Sequence, residues 1–181
     1  MIGDNPEMTM KLLETLFPIK PVDENITRIP SDSNEEEALA QTRQFVQKLW
    51  PDVTAATWQS SPRAIFFLSD GALRYYLPSL LAAALESYET VRHATDLAWF
   101  ELRPIVAITR KKRDRRWNVT ESMAQSLKGR QVRRWGCFTA PKIQVLRDVM
   151  TKITREEHER SVIDTIAQAK TTLDLLYAPL P

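Results

Sequence analysis

The sequence has little of what disulfide-stabilised, metal-binding and nucleophilic proteins rely on. Its 181 residues include one cysteine, two histidines and four glycines. The single Cys137 excludes an internal disulfide and a cysteine-rich zinc site, favours a reducing compartment, and is expected as a small buried apolar residue. Glycines at positions 3, 71, 129 and 136 alone cannot supply a Gly-x-Ser-x-Gly nucleophile elbow or a glycine-rich phosphate loop. The near absence of Asn-Gly and Asp-Gly pairs argues against a hairpin-rich β fold.

Long apolar runs and a leader sequence are missing as well. Arg74 and Pro78 interrupt the most apolar stretch before it reaches the roughly 18 residues of a membrane span. The first residues, with Asp4 and Glu7 ahead of Met8, lack the basic and then apolar order of a signal peptide. We therefore expect a soluble cytoplasmic protein that has no membrane among its partners.

What the sequence does contain is helical periodicity, which is clearest in residues 66–86. This stretch is almost entirely apolar, with Ser69 at the N-cap position, Asp70 in the first turn and Pro78 in the middle. Because a helix that is apolar on most sides must be surrounded by other helices, the pattern predicts a mainly all-α fold. We expect a single-domain helical bundle over residues 1–181, built around this central helix and kinked at Pro78.

The rest of the chain also reads as helices separated by short breaks. Proline, glycine and capping signals set their expected ends. His93 is expected in a polar loop, Gly129 at a helix end, and residues 105–134 as a basic, loop-rich segment. The expected helices cover residues 7–17, a stretch from Ser31 or Ser33 to Trp50, single turns at 54–58 and 62–67, Asp96–Leu102, Thr120–Leu127, a stretch from Thr139 to about Ile153, and a last helix opened by the capping box Thr154–Glu157.

No residues show the spacing of a catalytic or metal site. His93 and His158 have no recognisable nucleophile or base beside them, so we expect both on the surface. Glu156, Glu157 and Glu159 surround His158, but their consecutive spacing spreads them around a helix instead of bringing them together. We therefore expect no catalytic residue, no metal and no cofactor, and we interpret the chain as a protein that is not an enzyme.

Charge is distributed very unevenly along the chain. Residues 1–102 hold 8 basic and 15 acidic residues, residues 103–134 hold 11 and 2, and residues 135–181 hold 6 of each. The overall charge of +2 therefore conceals a strongly basic segment. Such a segment indicates an acidic or polyanionic partner, because an uncompensated block of one sign repels itself.

The basic segment contains the residues that we predict to contact a partner. Arginines interleaved with tryptophans can hold phosphates and stack on bases, and both residue types are enriched where the energy of a protein interface concentrates. Three interpretations remain open: a surface that is solvated or paired with the acidic first half, a contact surface for an acidic protein, and a nucleic-acid-binding surface. The candidate residues are Arg113, Arg115, Arg116, Arg133 and Arg134 as charged contacts, with Trp117 and Trp135 as anchors.

A second group of residues is interpreted as structural: Ser69, Arg74, Tyr75, Tyr76 and Pro78. Arg74 and the two tyrosines lie on the turn where the proline removes a backbone hydrogen bond. We predict that at least one tyrosine hydroxyl or the guanidinium bonds a backbone carbonyl and holds the neighbouring loop.

The segment Leu68–Leu85, with its Arg-Tyr-Tyr-Leu-Pro core, resembles the signature of a family of small, uncharacterised bacterial domains. The resemblance implies no catalytic residue. The order of the surrounding segments is similar over roughly residues 40–150, and its landmarks are Trp50, Trp58, Asp96–Pro104, Phe138-Thr139 and Gln144.

Small bacterial domains of this kind are often immunity proteins that are found beside toxins. The comparison with them is an analogy at the level of the family. By that analogy we expect a non-catalytic binding protein whose partner is an acidic protein, most specifically a cognate toxin that it neutralises by direct binding. The alternative is a nucleic-acid-binding protein that uses residues 110–134.

Overall fold

The computed structural model describes residues 6–20, 25–29, 34–103, 121–156 and 159–176. Within these ranges the chain forms eight α-helices and no β-strand, so the all-α prediction is confirmed. Two short 3-10 turns, Arg43–Phe45 and Trp50–Asp52, lie between the second and third helices. The helices are α1 (Pro6–Leu16), α2 (Glu35–Thr42), α3 (Ala55–Ser60), α4 (Ala64–Phe67), α5 (Asp70–Glu101), α6 (Glu121–Trp135), α7 (Ala140–Glu156) and α8 (Arg160–Leu176).

Helix α5 is the centre of the fold, as the apolar run predicts. It is 32 residues long, and α1, α3, α6, α7 and α8 all pack against it. Ser69 caps it, since its hydroxyl accepts a hydrogen bond of 3.2 Å from the amide of Ala72. The buried apolar residues that surround α5 form one core cluster that runs from Leu13 of α1 to Leu173 of α8.

The break in α5 lies at Ser87, so the prediction of a kink at Pro78 is wrong. Ser87 alone in this helix has non-helical backbone angles, with φ −155° and ψ 88°. Its hydroxyl lies 2.9 Å from that of Thr90. Pro78 is fully packed among buried neighbours, which hold the helix on its course despite the missing amide.

Two predicted helix ends are overrun by longer helices. α5 continues to Glu101, so His93 lies on a helix and not in a loop. α6 continues through Gly129 to Trp135, so half of the expected loop-rich segment is helical. A glycine inside a helix costs about 1 kcal/mol relative to alanine, and the packing of the last turns of α6 outweighs that penalty.

Two further boundaries differ from expectation. The Thr154 hydroxyl donates to the carbonyl of Met150 at 2.7 Å inside α7, so it is not the cap that opens the last helix. α2 ends at Thr42, well before Trp50, because the chain tightens into a 3-10 turn and then into a loop. The predicted start near Thr139 is confirmed, since α7 begins at Ala140 and the Ile143 amide donates to the Thr139 carbonyl.

The core beside α5 is rich in aromatic side chains. Phe45 lies edge-on to Trp58 and to Tyr76, with ring centroids 4.7 Å and 5.2 Å apart. The Trp58 indole donates to the Ser79 hydroxyl at 2.9 Å, which satisfies its buried N–H. None of the described helices is both long enough and apolar enough to cross a membrane.

Candidate functional site

The structure divides the predicted contact residues into three groups. Arg113, Arg115, Arg116 and Trp117 lie outside the described residues. Arg133 is on α6 with 66% of its side chain exposed, as a contact residue should be. The side chain of its neighbour Arg134 is only 1% exposed, and Trp135 is fully buried. The prediction that these last two contact a partner is therefore wrong, because both are enclosed by the protein's own core.

Arg134 is the centre of a buried polar cluster. Its Nη2 donates to the carbonyls of Ile65 and Leu68 at 2.8 Å and 2.9 Å, and its Nη1 donates to a Glu101 carboxylate oxygen. Its Nε lies 3.3 Å from an Asp70 carboxylate oxygen. One side chain of α6 thus joins both ends of α5 and the turn that precedes it.

Two more side chains on the inner side of α6 complete the attachment. Arg130 donates to the second carboxylate oxygen of Glu101. Gln131 donates to the main-chain carbonyls of Glu101 at 2.9 Å and Arg103 at 3.0 Å. The Gln131 amide thus meets carbonyls at the end of α5, where the helix has no amides of its own to pair with them. α6 is therefore fixed firmly along one side.

Burial lowers the pKa of two arginines in this region, Arg134 and Arg28. Desolvation lowers the pKa of Arg134 to about 10, while Glu101 opposes the shift. Arg28, whose guanidinium donates to the Phe66 carbonyl at 2.5 Å, has its pKa lowered by burial and then by the charge of Arg130. Arg134 therefore stays protonated at neutral pH, and its ion pairs with Glu101 and Asp70 persist.

The two tyrosines of the central helix hold the loop between α2 and α3. The Tyr76 hydroxyl lies 2.6 Å from the Phe45 carbonyl and 3.1 Å from the Lys48 carbonyl, to which it can donate. The Tyr75 hydroxyl accepts from the Trp50 amide at 3.3 Å. The prediction that this motif holds a neighbouring loop through backbone carbonyls is confirmed.

Arg74 completes the motif by reaching towards α6. Its Nη1 donates to the Arg133 carbonyl at 2.7 Å and lies 3.5 Å from the Cys137 sulfur. Cys137 itself is exposed, so the expectation of a buried cysteine is wrong. It follows the last turn of α6, where the chain leaves the core before α7 begins.

The side of α6 opposite the buried cluster is open to solvent. Its exposed residues among the described side chains of the helix, which we call the α6 face, are Gln125, Lys128, Val132 and Arg133. Val132 is 53% exposed and stands between the two cations. No carboxylate within the described ranges pairs with Lys128, and Arg133 lies 3.5 Å from Asp70 at a largely solvated position. Such a surface can bind a partner that combines acidic groups with an apolar contact.

The described residues contain no group of three or more His, Cys, Asp and Glu side chains placed to hold a metal ion. His93 is exposed on α5, and His158 lies outside the described residues.

Sequence reasoning missed Glu101 and Asp70 as partners of Arg134. One local signal was present, because a glutamate at the end of a helix opposes the helix dipole and calls for a compensating cation. The pairing itself joins residues 33 positions apart, which spacing along one helix does not reveal.

A comparison with known families gives one match. The model of a family of unknown function, DUF6714, matches residues 28–133, more than half of the chain. The matched region includes Ser69, the Arg-Tyr-Tyr-Leu-Pro segment and Glu101, together with most of α6. No curated protein and no solved structure matches the chain.

Proposed function

Because the chain belongs to the DUF6714 family, whose function is unknown, we propose a function from the surface of this chain: it is a non-catalytic protein that binds an acidic protein partner through the α6 face. The observation that carries this proposal is that the cations of α6 lie on two different sides of the helix. Arg130 and Arg134 face inwards and are neutralised by carboxylates, whereas Lys128 and Arg133 face solvent beside an exposed valine.

The rigidity of α6 supports the same proposal. Arg134 and Gln131 tie its inner side to α5 and to the turn before it, so little freedom is left in the backbone that carries the α6 face. A preorganised surface loses less conformational entropy when it binds, and more of its contact energy therefore contributes to affinity.

The most specific form of the proposal is an immunity protein that acts in the cytoplasm on a cognate bacterial toxin. Such a protein works by covering the toxin's active site, which requires complementary shape and charge and no chemistry of its own. Arg133 is of a residue type that contributes strongly at protein interfaces, and Lys128 adds positive charge on the same face. The single cysteine fits a reducing compartment, where disulfides do not form.

Co-expression with the product of the adjacent gene tests the proposal. We expect the two proteins to purify together, and we expect this chain to rescue cells from the toxicity of its partner. Failure of both would reject the immunity role. Retention on immobilised DNA or RNA that falls steeply as salt rises would instead support the nucleic-acid alternative, since phosphate binding releases counterions.

A further inference from the structure

A cationic groove lies next to the α6 face. It has a volume of about 390 Å³ and is formed where α1 and the segment after it approach α5 and the start of α7. Three of its lining residues are the cations Lys20, Arg74 and Lys142, and none of the described residues that line it is acidic. Phe17, Tyr75 and Phe138 supply apolar walls. The described lining of the groove therefore offers positive charge and apolar surface together.

Lys142 stands at an electrostatically unfavourable position. It is in the first turn of α7, which has no acidic residue, so it shares the positive end of the helix dipole. Its ammonium lies 4.9 Å from the centre of the Phe17 ring, and this cation–π contact compensates part of the repulsion. An anionic group in the groove would complete the compensation.

Arg74 is held in place before any ligand arrives. Its Nη1 bonds the Arg133 carbonyl at 2.7 Å, and the guanidinium still has donors to spare. The same bond places the groove beside the main chain of Arg133, whose side chain belongs to the α6 face. A single partner can contact both.

We propose that this groove binds an acidic linear segment of the protein partner, with carboxylates on the three cations and an apolar side chain against the half-buried Tyr75 ring. This inference rests on the proposed function and specifies the chemistry of the bound segment. The buried state of the walls favours a peptide over a nucleic acid. Phe17 and Phe138 are only 3% and 5% exposed, so neither offers an open ring on which a base could stack.

Selection from a phage-displayed library of random peptides against the purified full-length chain tests the groove, because it requires no knowledge of the partner. The variant Lys20→Glu/Lys142→Glu reverses two of the three charges. Arg74 is left intact because it also bonds α6. The matched control, Arg155→Glu/Arg160→Glu, makes the same change of net charge at two exposed cations that lie outside the groove.

We expect the selected peptides to combine Asp or Glu with an aromatic or aliphatic residue. Their affinity should fall at least about tenfold on the Lys20→Glu/Lys142→Glu variant and should stay unchanged on the control. Absence of acidic sequences among the selected peptides, or equal binding by both variants, overturns the proposal. Competition by a single-stranded oligonucleotide that is stronger than competition by an acidic peptide also overturns it, in favour of nucleic acid.

The two proposals fail in different ways. If acidic peptides bind the groove but no complex forms with the product of the adjacent gene, the immunity role is wrong and the groove stands. If the complex forms and is insensitive to Lys20→Glu/Lys142→Glu, the proposed function stands and the groove is not where the partner's acidic segment binds.

Discussion

Arg134 and Glu101 form a buried ion pair that fixes α6 to the end of the central helix. Their side chains are 1% and 7% exposed, and the guanidinium also bonds two main-chain carbonyls. A buried pair of this kind is not in itself a source of large stability, but the loss of one partner leaves uncompensated polar groups in the core. The position of the α6 face therefore depends on this pair.

Replacement of Arg134 tests that dependence. Arg134→Leu leaves the carbonyls of Ile65 and Leu68 without a donor and removes a charge that faces Glu101 and Asp70. We expect the free energy of unfolding to fall by about 3–5 kcal/mol in chemical denaturation. The adjacent Arg133→Leu is the control and should change stability by no more than about 1 kcal/mol, since Arg133 is solvated. Equal stability of the two variants would show that the buried cluster does not hold α6.

Tyr76→Phe tests the tie between α5 and the loop after α2. The hydroxyl lies within hydrogen-bond distance of the carbonyls of Phe45 and Lys48, and the bond to Phe45 is buried. We expect the variant to lose about 1 kcal/mol of stability while partner binding by the folded protein stays the same. A loss of binding without a change in melting temperature would instead make this tyrosine part of the interface.

The same tyrosine gives the protein a defined response to alkaline pH. Burial raises the pKa of Tyr76 from 10.0 to about 12, so the folded protein keeps this proton where the unfolded chain has lost it. Its contribution to stability is complete below pH 10 and is lost as the pH rises towards 12. Arg134, whose lowered pKa acts with the opposite sign, titrates in the same range.

The difference in unfolding free energy between wild type and Tyr76→Phe, measured as a function of pH, isolates the tyrosine, because Arg134 is present in both proteins. We expect this difference to shrink above pH 10. A difference that stays constant to pH 11 would contradict the assigned burial of the hydroxyl.

Two glycines near the end of α6 are expected to respond in opposite directions to alanine. At Gly129, inside the helix, a methyl group would meet only the tip of the flexible Arg133 side chain at 3.4 Å. Gly129→Ala should therefore stabilise the protein by about 0.5–1 kcal/mol. At Gly136 the methyl group would lie 2.6 Å from the Val132 carbonyl oxygen, so Gly136→Ala should be destabilising. Thermal unfolding of both variants decides this, and stabilisation by both would rule out the close approach at Gly136.

The part of the fold that the sequence predicts well is the part with local causes. Ser69 caps the central helix through an amide three residues away, and the apolar run that follows is buried as its periodicity requires. The location of the break in the same helix was not predictable, since packing carries the helix through Pro78 and the interruption falls at Ser87. The helix-breaking tendency of Pro78 is outweighed by the tertiary contacts of its neighbours.

The candidate site was predicted only in part for a similar reason. Arg133 and Arg134 are adjacent in the sequence, yet one faces solvent and the other the core. A helix separates adjacent side chains by about 100°, so the inner side could have been inferred only if α6 had been expected to continue through Gly129. Which side is buried depends on Glu101 and Asp70, and that is information from distant parts of the chain.

The most direct test of the proposed function is the affinity of the Lys128→Glu/Arg133→Glu variant for the co-purified partner, measured by titration calorimetry beside the Arg155→Glu/Arg160→Glu control. If the α6 face makes the contact, the first variant binds at least about tenfold more weakly, with stability changed by no more than about 1 kcal/mol, and the control binds like wild type. Wild-type affinity of the Lys128→Glu/Arg133→Glu variant would contradict the proposed interface.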